Sequence, residues 1–244
     1  EVVLAERRPS PSDFEKNKSF NYLVDRRGLR ILERLGIADR MYQCGVDTTN
    51  FTATTIAPNC SARTRVVPII DPDRPTCFWT TRRAFLTILY GAIEEKRSER
   101  IRVLYGHSVA GIDRSDDGTV SVSVENPEGG TEVFSPDLIL ACDGLSSAIR
   151  TALGKQSETP AGFFDMIAGD SISTGLRYKV LNLPARFRTA DGKVAVADNR
   201  MSYIIPSRHK DQRKACALFA FPVVDSRHPR SVNLIREGDH ELWT

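Results

Sequence analysis

Asp137-Leu-Ile-Leu-Ala-Cys-Asp-Gly-Leu-Ser-Ser-Ala-Ile-Arg150 is the stretch whose reading decides the fold. Residues 138–142 form a continuous apolar run, which predicts a strand covered on both faces by other layers. Gly144 then permits a turn that residues with a Cβ resist. Ser146 or Ser147 is placed to cap the amides of a helix beginning near Ala148. In open α/β sheets, ligands sit at the carboxyl ends of strands, and Asp143 stands at such an end. A buried strand with a tight exit accounts for Gly144 but leaves the acid unexplained, so Asp143 is the first candidate binding residue.

The chain around this junction can bury a substantial core. It has 244 residues, 41% of them hydrophobic, enough for one large or two modest domains. No run approaches the roughly 18 apolar residues of a membrane span, and the N-terminus lacks the pattern of a secretory signal. A soluble intracellular protein, of the cytoplasm or an organelle, is the expectation. Net charge is +3, with Lys and Arg scattered rather than gathered into a stripe, which argues against a nucleic-acid partner. Five cysteines without C-x-x-C spacing point to reduced thiols, and Cys142 is read as packing within its strand. The four histidines share no metal-ligand spacing, so no metal site is expected.

Upstream of the junction, residues 101–104 and 107–113 read as strands. Asp116-Asp117-Gly118 is a hairpin turn and 119–124 the return strand, a meander feeding the central strand. Downstream of Gly154, residues 156–160 look like a crossover. Residues 171–183, 194–206 and 215–224 fit a mainly antiparallel sheet. At the N-terminus, residues 2–6 predict a short buried strand ending in Glu6. In nucleotide-binding βαβ units the second strand ends in this way, although an acid at a solvent-facing strand end is the commoner case. Asp25 is placed to cap a helix with apolar residues at 29, 31, 32 and 35, stopped by Gly36, and a second short helix covers 38–43. Residues 46–80 suggest two or three antiparallel strands. Thr80-Thr81 then opens a helix that carries Arg82 in its first turn, against the helix dipole. Such a charge has an anionic ligand for a partner, or is exposed and tolerated at small cost.

Taken together these marks resemble the FAD-dependent aromatic hydroxylases, the single-component flavoprotein monooxygenases. Leu140-Ala-Cys-Asp-Gly-Leu-Ser-Ser-Ala-Ile-Arg150 is similar to their second flavin fingerprint, and Val3-Leu-Ala-Glu-Arg-Arg8 to their ribose-binding strand end. Asn21-Tyr-Leu-Val-Asp-Arg-Arg-Gly28, and Thr81-Arg82 with its helix, resemble most closely kynurenine 3-monooxygenase and its plant relatives. The resemblance implies an α/β fold: an incomplete FAD-binding Rossmann-like domain over residues 1–160, lacking its first βα unit, and the start of a mainly antiparallel β substrate domain over 161–244.

It also implies FAD as cofactor, NAD(P)H as co-substrate and a small aromatic substrate hydroxylated with O2. Glu6 would bind the adenosine ribose and Arg8 would lie near the adenine. Leu23, Arg82 and Val109 would line the FAD site, Arg82 beside the diphosphate, and Asp143 and Gly144 would approach the ribityl and diphosphate region. No side chain is then needed as a catalytic nucleophile. The Gly-x-Gly-x-x-Gly loop is expected before Glu1 and the Gly-Asp-x-x-His segment after Thr244, so the chain is read as a fragment, inactive alone. Gly238-Asp239-His240 is read as a chance echo of that segment, with no buried strand leading in. An isoprenoid-acting flavin oxidoreductase, and a non-catalytic remnant without FAD, are the alternatives.

Overall fold

The computed structural model describes residues 1–13, 21–48, 50–56, 61–68, 77–95, 100–157, 159–171, 173–188, 197–207, 211 and 214–243. In chain order the first elements are β1 (Val2–Glu6), β2 (Asn21–Val24), α1 (Arg26–Arg34), a 3-10 turn (Ala38–Arg40) and α2 (Met41–Cys44). There follow β3 (Val46–Thr48), β4 (Asn50–Ile56), β5 (Ala62–Pro68), β6 (Cys77–Thr81) and α3 (Arg82–Glu95). The meander strands are β7 (Ile101–Tyr105), β8 (Ser108–Arg114), β9 (Val120–Glu125) and β10 (Thr131–Phe134), and α4 (Ala148–Gly154) comes next. The last strands are β11 (Leu176–Leu183), β12 (Ser202–Pro206), β13 (Ala217–Ala220) and β14 (Arg230–Glu237).

The chain divides into two compact units, one of residues 1–13 and 96–170, the other of residues 14–95 and 171–244. Each draws on two separate stretches. The assignment of residues 1–160 to a cofactor domain and 161–244 to a substrate domain therefore stands as a proposal.

In the first unit β1 runs parallel to β7, and β8, β9 and β10 form an antiparallel meander. Local chemistry sets both meander turns. Gly118 takes a positive φ of 86° while the Asp117 carboxylate accepts from the Thr119 amide. The Asn126 side chain accepts from the amides of Glu128 and Gly130. Ile112, Val122 and Val124 meet Ile149 of α4 in the core, with Val109, Ile139 and Leu153 packed around them.

Three expectations are corrected here. Residues 138–142 form no strand: Leu138 and Leu140 are 73% and 74% exposed, Cys142 is exposed too, and only Ile139 reaches the core. The apolar run met the hydrophobic criterion for a strand, but a strand also needs a neighbour for its amides and carbonyls, and among the described residues none pairs with it. Cys142 is accordingly not a packing residue. For the same reason β1, read as buried, is paired along one edge only among the described residues and leaves Val2 59% exposed.

The second unit holds a three-stranded antiparallel sheet, β2-β6-β3, and a six-stranded sheet in the order β11-β14-β13-β12-β4-β5. All pairs of the larger sheet are antiparallel except β4 with β12. Asp25 caps α1 by accepting from the amides of Arg27 and Gly28, and Gly36 follows the helix with φ 70°. Leu32, Met41, Phe78, Ile88 and Ala92 close the core between the helices and the smaller sheet. β14 escaped the sequence reading although Val232 and Leu234 alternate with polar neighbours, and four of its eight residues are buried. A buried strand therefore does lead into Gly238-Asp239-His240, contrary to expectation.

Arg230 opens β14 with no exposed surface at all. Its Nε and Nη2 donate to the Ala185 carbonyl at 3.1 and 2.6 Å, Nη1 to Met201 at 2.9 Å and Nη2 also to Asp198 at 2.8 Å. The guanidinium lies 5.1 Å from the Tyr203 ring centroid and 5.5 Å from that of Phe187, so two π faces and three carbonyls receive its charge. Burial pulls its pKa down, opposed by Tyr203 and Asp198. Arg230→Met, which fills the space but leaves the three carbonyls without donors, is expected to cost about 3 kcal/mol in urea unfolding at an unchanged m value.

Candidate functional site

The Asp143-Gly144 junction is built by a glycine and two acceptors. Gly144 has φ 78°, and no heavy atom lies within 4 Å of where a Cβ would stand. The chain turns there at low strain and presents open backbone. Ser147 is the N-cap of α4, its Oγ accepting from the Arg150 amide at 2.9 Å. Asp143 Oδ2 accepts from the Ile149 amide at 3.2 Å. Desolvation pushes the Asp143 pKa up but is outweighed by hydrogen bonds from the Ser147 hydroxyl and from the Ile149 and Ala148 amides, so the net shift is downward. The acid left unexplained by the sequence thus has a structural task, holding the first turn of a helix. Arg150 Nη2 closes the turn by donating to the Leu145 carbonyl at 2.7 Å.

Glu6 ends β1 with its carboxylate already engaged. It accepts from the Arg8 amide at 2.9 Å, from Arg8 Nε at 3.2 Å and from Arg8 Nη2 at 3.0 Å. These bonds to the Arg8 side chain hold the Glu6 carboxyl below its ordinary pKa against partial burial. The backbone is fixed as well: Glu6 O accepts from the His107 amide and Arg8 O from the Gly106 amide, at 3.1 and 2.9 Å. Glu6 and Arg8 are therefore tied to the turn that leads into β8, where Val109 sits. α4, which Asp143 and Gly144 introduce, packs against that same strand. Five of the seven candidate residues belong to this unit.

Leu23 and Arg82 belong to the other unit. Leu23 on β2 lies opposite Trp79 on β6, and Asn21 lies opposite Thr81. Thr81 Oγ1 accepts from the Ala84 amide at 3.2 Å and so starts α3, leaving Arg82 half-buried in a first turn without an acid. Arg82 has no hydrogen-bond or ion-pair partner among the described residues, and the Asn21 side-chain carbonyl beside Thr81 is buried without a donor. Asn21 is a polar residue that the sequence reading did not single out. A strand-initial Asn facing a helix-capping Thr was the available signal. Two cavities of the same unit, about 400 Å³ at residues 182–186 and 226–229 and about 320 Å³ between α1 and Tyr42, involve none of the candidates.

The family model described as FAD binding domain matches residues 1–230. Over 89 residues the chain is 29% identical to a 3-(3-hydroxy-phenyl)propionate/3-hydroxycinnamic acid hydroxylase of Klebsiella pneumoniae (strain 342), a match covering 34% of this chain and 16% of that protein. Among solved structures it is similar to P. aeruginosa PqsL in complex with 2-aminobenzoylacetate, with TM-score 0.60 and 12% identity, covering 97% of this chain and 54% of that one. It is also similar to 2-methyl-3-hydroxypyridine-5-carboxylic acid oxygenase, with TM-score 0.56 and 16% identity over 97% of this chain and 52% of that one. The likeness is one of fold: α/β, with sheets mostly antiparallel, as in FAD-binding hydroxylases. The chain spans about half the length of these solved structures.

The junction makes a pH-dependent prediction. Asp143→Ala and Ser147→Ala each remove one acceptor from the start of α4 and are expected to cost about 1 kcal/mol. Because the Asp143 pKa is lowered in the folded state, its contribution is present above the unfolded carboxylate pKa and is lost as pH falls through the folded value. Denaturant unfolding of wild type and Asp143→Ala across pH 7 to 3 should show the gap between them closing in acid, while that for Ser147→Ala narrows only by its bond to the Asp143 carboxylate and keeps the part owed to the Arg150 cap.

Proposed function

Because the chain belongs to the FAD binding domain family, we propose that it is the cofactor- and substrate-binding part of an FAD-dependent monooxygenase. It would use NAD(P)H and O2 to hydroxylate a small aromatic substrate, with kynurenine-like amino acids among the compounds to be tried. The observation that carries this reading is the family match across residues 1–230, in a chain whose first strand ends in an anionic acceptor, Glu6. Residues 1–160 would serve the cofactor and 161–244 the substrate.

The residues fit FAD in the chemistry of their donors and acceptors. The Glu6 carboxylate accepts three N–H bonds from Arg8, so it is poised to accept ribose hydroxyls in their place, freeing the Arg8 guanidinium to stack on an adenine. Arg82, without a partner among the described residues and at the start of a 14-residue helix, would add its charge to the free amides of the first turn in holding a diphosphate. Gly144 offers open backbone for close approach of the ribityl chain, and Asp143 keeps that backbone in place through α4. Leu23 and Val109 would supply apolar wall. When bound, FAD supplies the electron transfer from NAD(P)H and the activation of oxygen, while the protein binds, orients and excludes water.

In the natural full-length protein, titration with FAD followed by flavin fluorescence is expected to show saturable binding. Glu6→Gln and Arg82→Gln should each weaken it about tenfold, the loss of one charge-assisted contact. NAD(P)H oxidation stimulated by small aromatic acids would complete the assignment. A folded full-length protein that FAD does not bind would reject it.

A further inference from the structure

The β11 edge of the six-stranded sheet carries a group of cations that the monooxygenase reading does not use. Arg177 on β11 lies directly opposite Arg236 on β14, and Lys179 lies opposite Leu234. Side chains alternate along a strand, so Arg236 shares a face with the buried Val232 and Leu234, and Arg177 and Lys179 stand on that face across the ladder. Like charges placed directly opposite each other on a sheet repel. The side chains of Arg177 and Lys179 have no hydrogen-bond or ion-pair partner among the described residues. Arg236 meets an acid through Nη1, at 3.6 Å, in Glu237, its neighbour on the same strand.

The chain turns immediately beyond this pair. The Gly238 amide donates to the Gly175 carbonyl at 2.7 Å, and the His240 amide to the Glu237 carbonyl at 3.1 Å. Gly238 keeps clear the space beside the Arg177 side chain: a Cβ there would stand 3.4 Å from Arg177 Nε and 3.1 Å from the Gly175 carbonyl oxygen. His240 is 8% exposed, and its Nδ1 accepts from the Leu242 amide at 3.1 Å, so the neutral ring carries its proton on Nε2. That N–H and the Nε–H of Arg236 are both buried with no acceptor among the described residues. A buried donor left unmade is costly, whereas an exposed cation is not. Solvation accounts for Arg177 and Lys179 but not for two buried N–H groups on the strand and turn that they border.

We propose that Arg177, Arg236 and His240 form a phosphate site, which takes inorganic phosphate or the phosphoryl group of a small phosphomonoester. An anion offsets the facing guanidinium charges and accepts from the donors left over. A carboxylate presents two oxygens in one plane, whereas these donors come from three places: a strand, its neighbour and the turn. A tetrahedral oxyanion reaches all three, and a dianion balances the two guanidinium groups. Lys179, two residues along from Arg177, adds charge at the rim. None of these residues belongs to the candidate cofactor set, and Glu6, Asp143 and Gly144 lie in the other unit. The site is therefore independent of the flavin reading.

The test is calorimetric titration of the full-length protein with inorganic phosphate, methyl phosphate and acetate, with and without saturating FAD, at about pH 8, where phosphate is mainly a dianion. At least one of the two phosphates is expected to bind about tenfold more tightly than acetate, and equally with and without FAD. Binding of methyl phosphate marks a phosphomonoester site, and binding of inorganic phosphate alone marks a site closed over the free ion. Arg177→Gln should weaken the phosphate about tenfold, while Lys155→Gln, which removes an exposed cation from the other unit, should leave it unchanged. Arg177 is exposed on an edge strand, so its replacement leaves the fold intact, which circular dichroism checks. No binding of either phosphate, affinity no higher than that of acetate, binding that survives Arg177→Gln, or binding displaced by FAD, would each overturn the proposal.

Discussion

A β-strand exists only where a neighbour takes up its amides and carbonyls, and that constraint governs this chain more than the distribution of its apolar residues does. The six-stranded sheet satisfies it by gathering β4 and β5 from the first half of the sequence beside four strands from the last third. Once the ladder is set, alternation dictates which side chains face the core and which face away. The buried series Tyr203, Ala220 and Val232 and the outward series Ile204, Phe219 and Asn233 are two consequences of one register. A slip of one residue would exchange them. Arg230 guards against such a slip, since its guanidinium reaches three carbonyls and two rings only from its place at the start of β14.

The two units use charge in different ways. In the first, both acids of the candidate site are engaged within the chain, Glu6 by Arg8 and Asp143 by the start of α4, and both have lowered pKa values for that reason. A ligand at Glu6 must exchange with an existing partner, whereas one at Gly144 meets open backbone. In the second, Arg82, Arg63 and Arg65 have no hydrogen-bond or ion-pair partner among the described residues. Anionic groups gain most at such positions, because no internal ion pair has to break first. A diphosphate at Arg82, as proposed above, would meet that condition.

Whatever depends on neighbours in the sequence was legible in it. The caps at Asp25, Thr81 and Ser147, the stop at Gly36, the turns at Gly118 and Gly144 and the carboxyl end of β1 at Glu6 all stand where the residue types put them. The pairings were not legible. The apolar run at 138–142 was read as the central strand because hydrophobicity says what would fit between layers, not whether a partner is present. The parallel pairing of β4 with β12 joins Thr55 to Ile204, with no local signal at either. Arg230 was overlooked because an arginine is expected at the surface, and only the carbonyls of two distant loops make its burial tolerable. Asp143 accepts from the Ile149 amide in the first turn of α4, a structural task the sequence reading did not give it, and its ligand role stands as a proposal.

The central claim is that the end of β1 and the Asp143-Gly144 turn together hold FAD. Amide hydrogen exchange of the full-length protein with and without saturating FAD tests it most directly. The account predicts slowed exchange at residues 6–8, at 106–107 where the end of β1 is tied down, and at 143–149 in the turn and first turn of α4. Exchange at these amides unchanged by FAD that is demonstrably bound would contradict it and move the cofactor elsewhere.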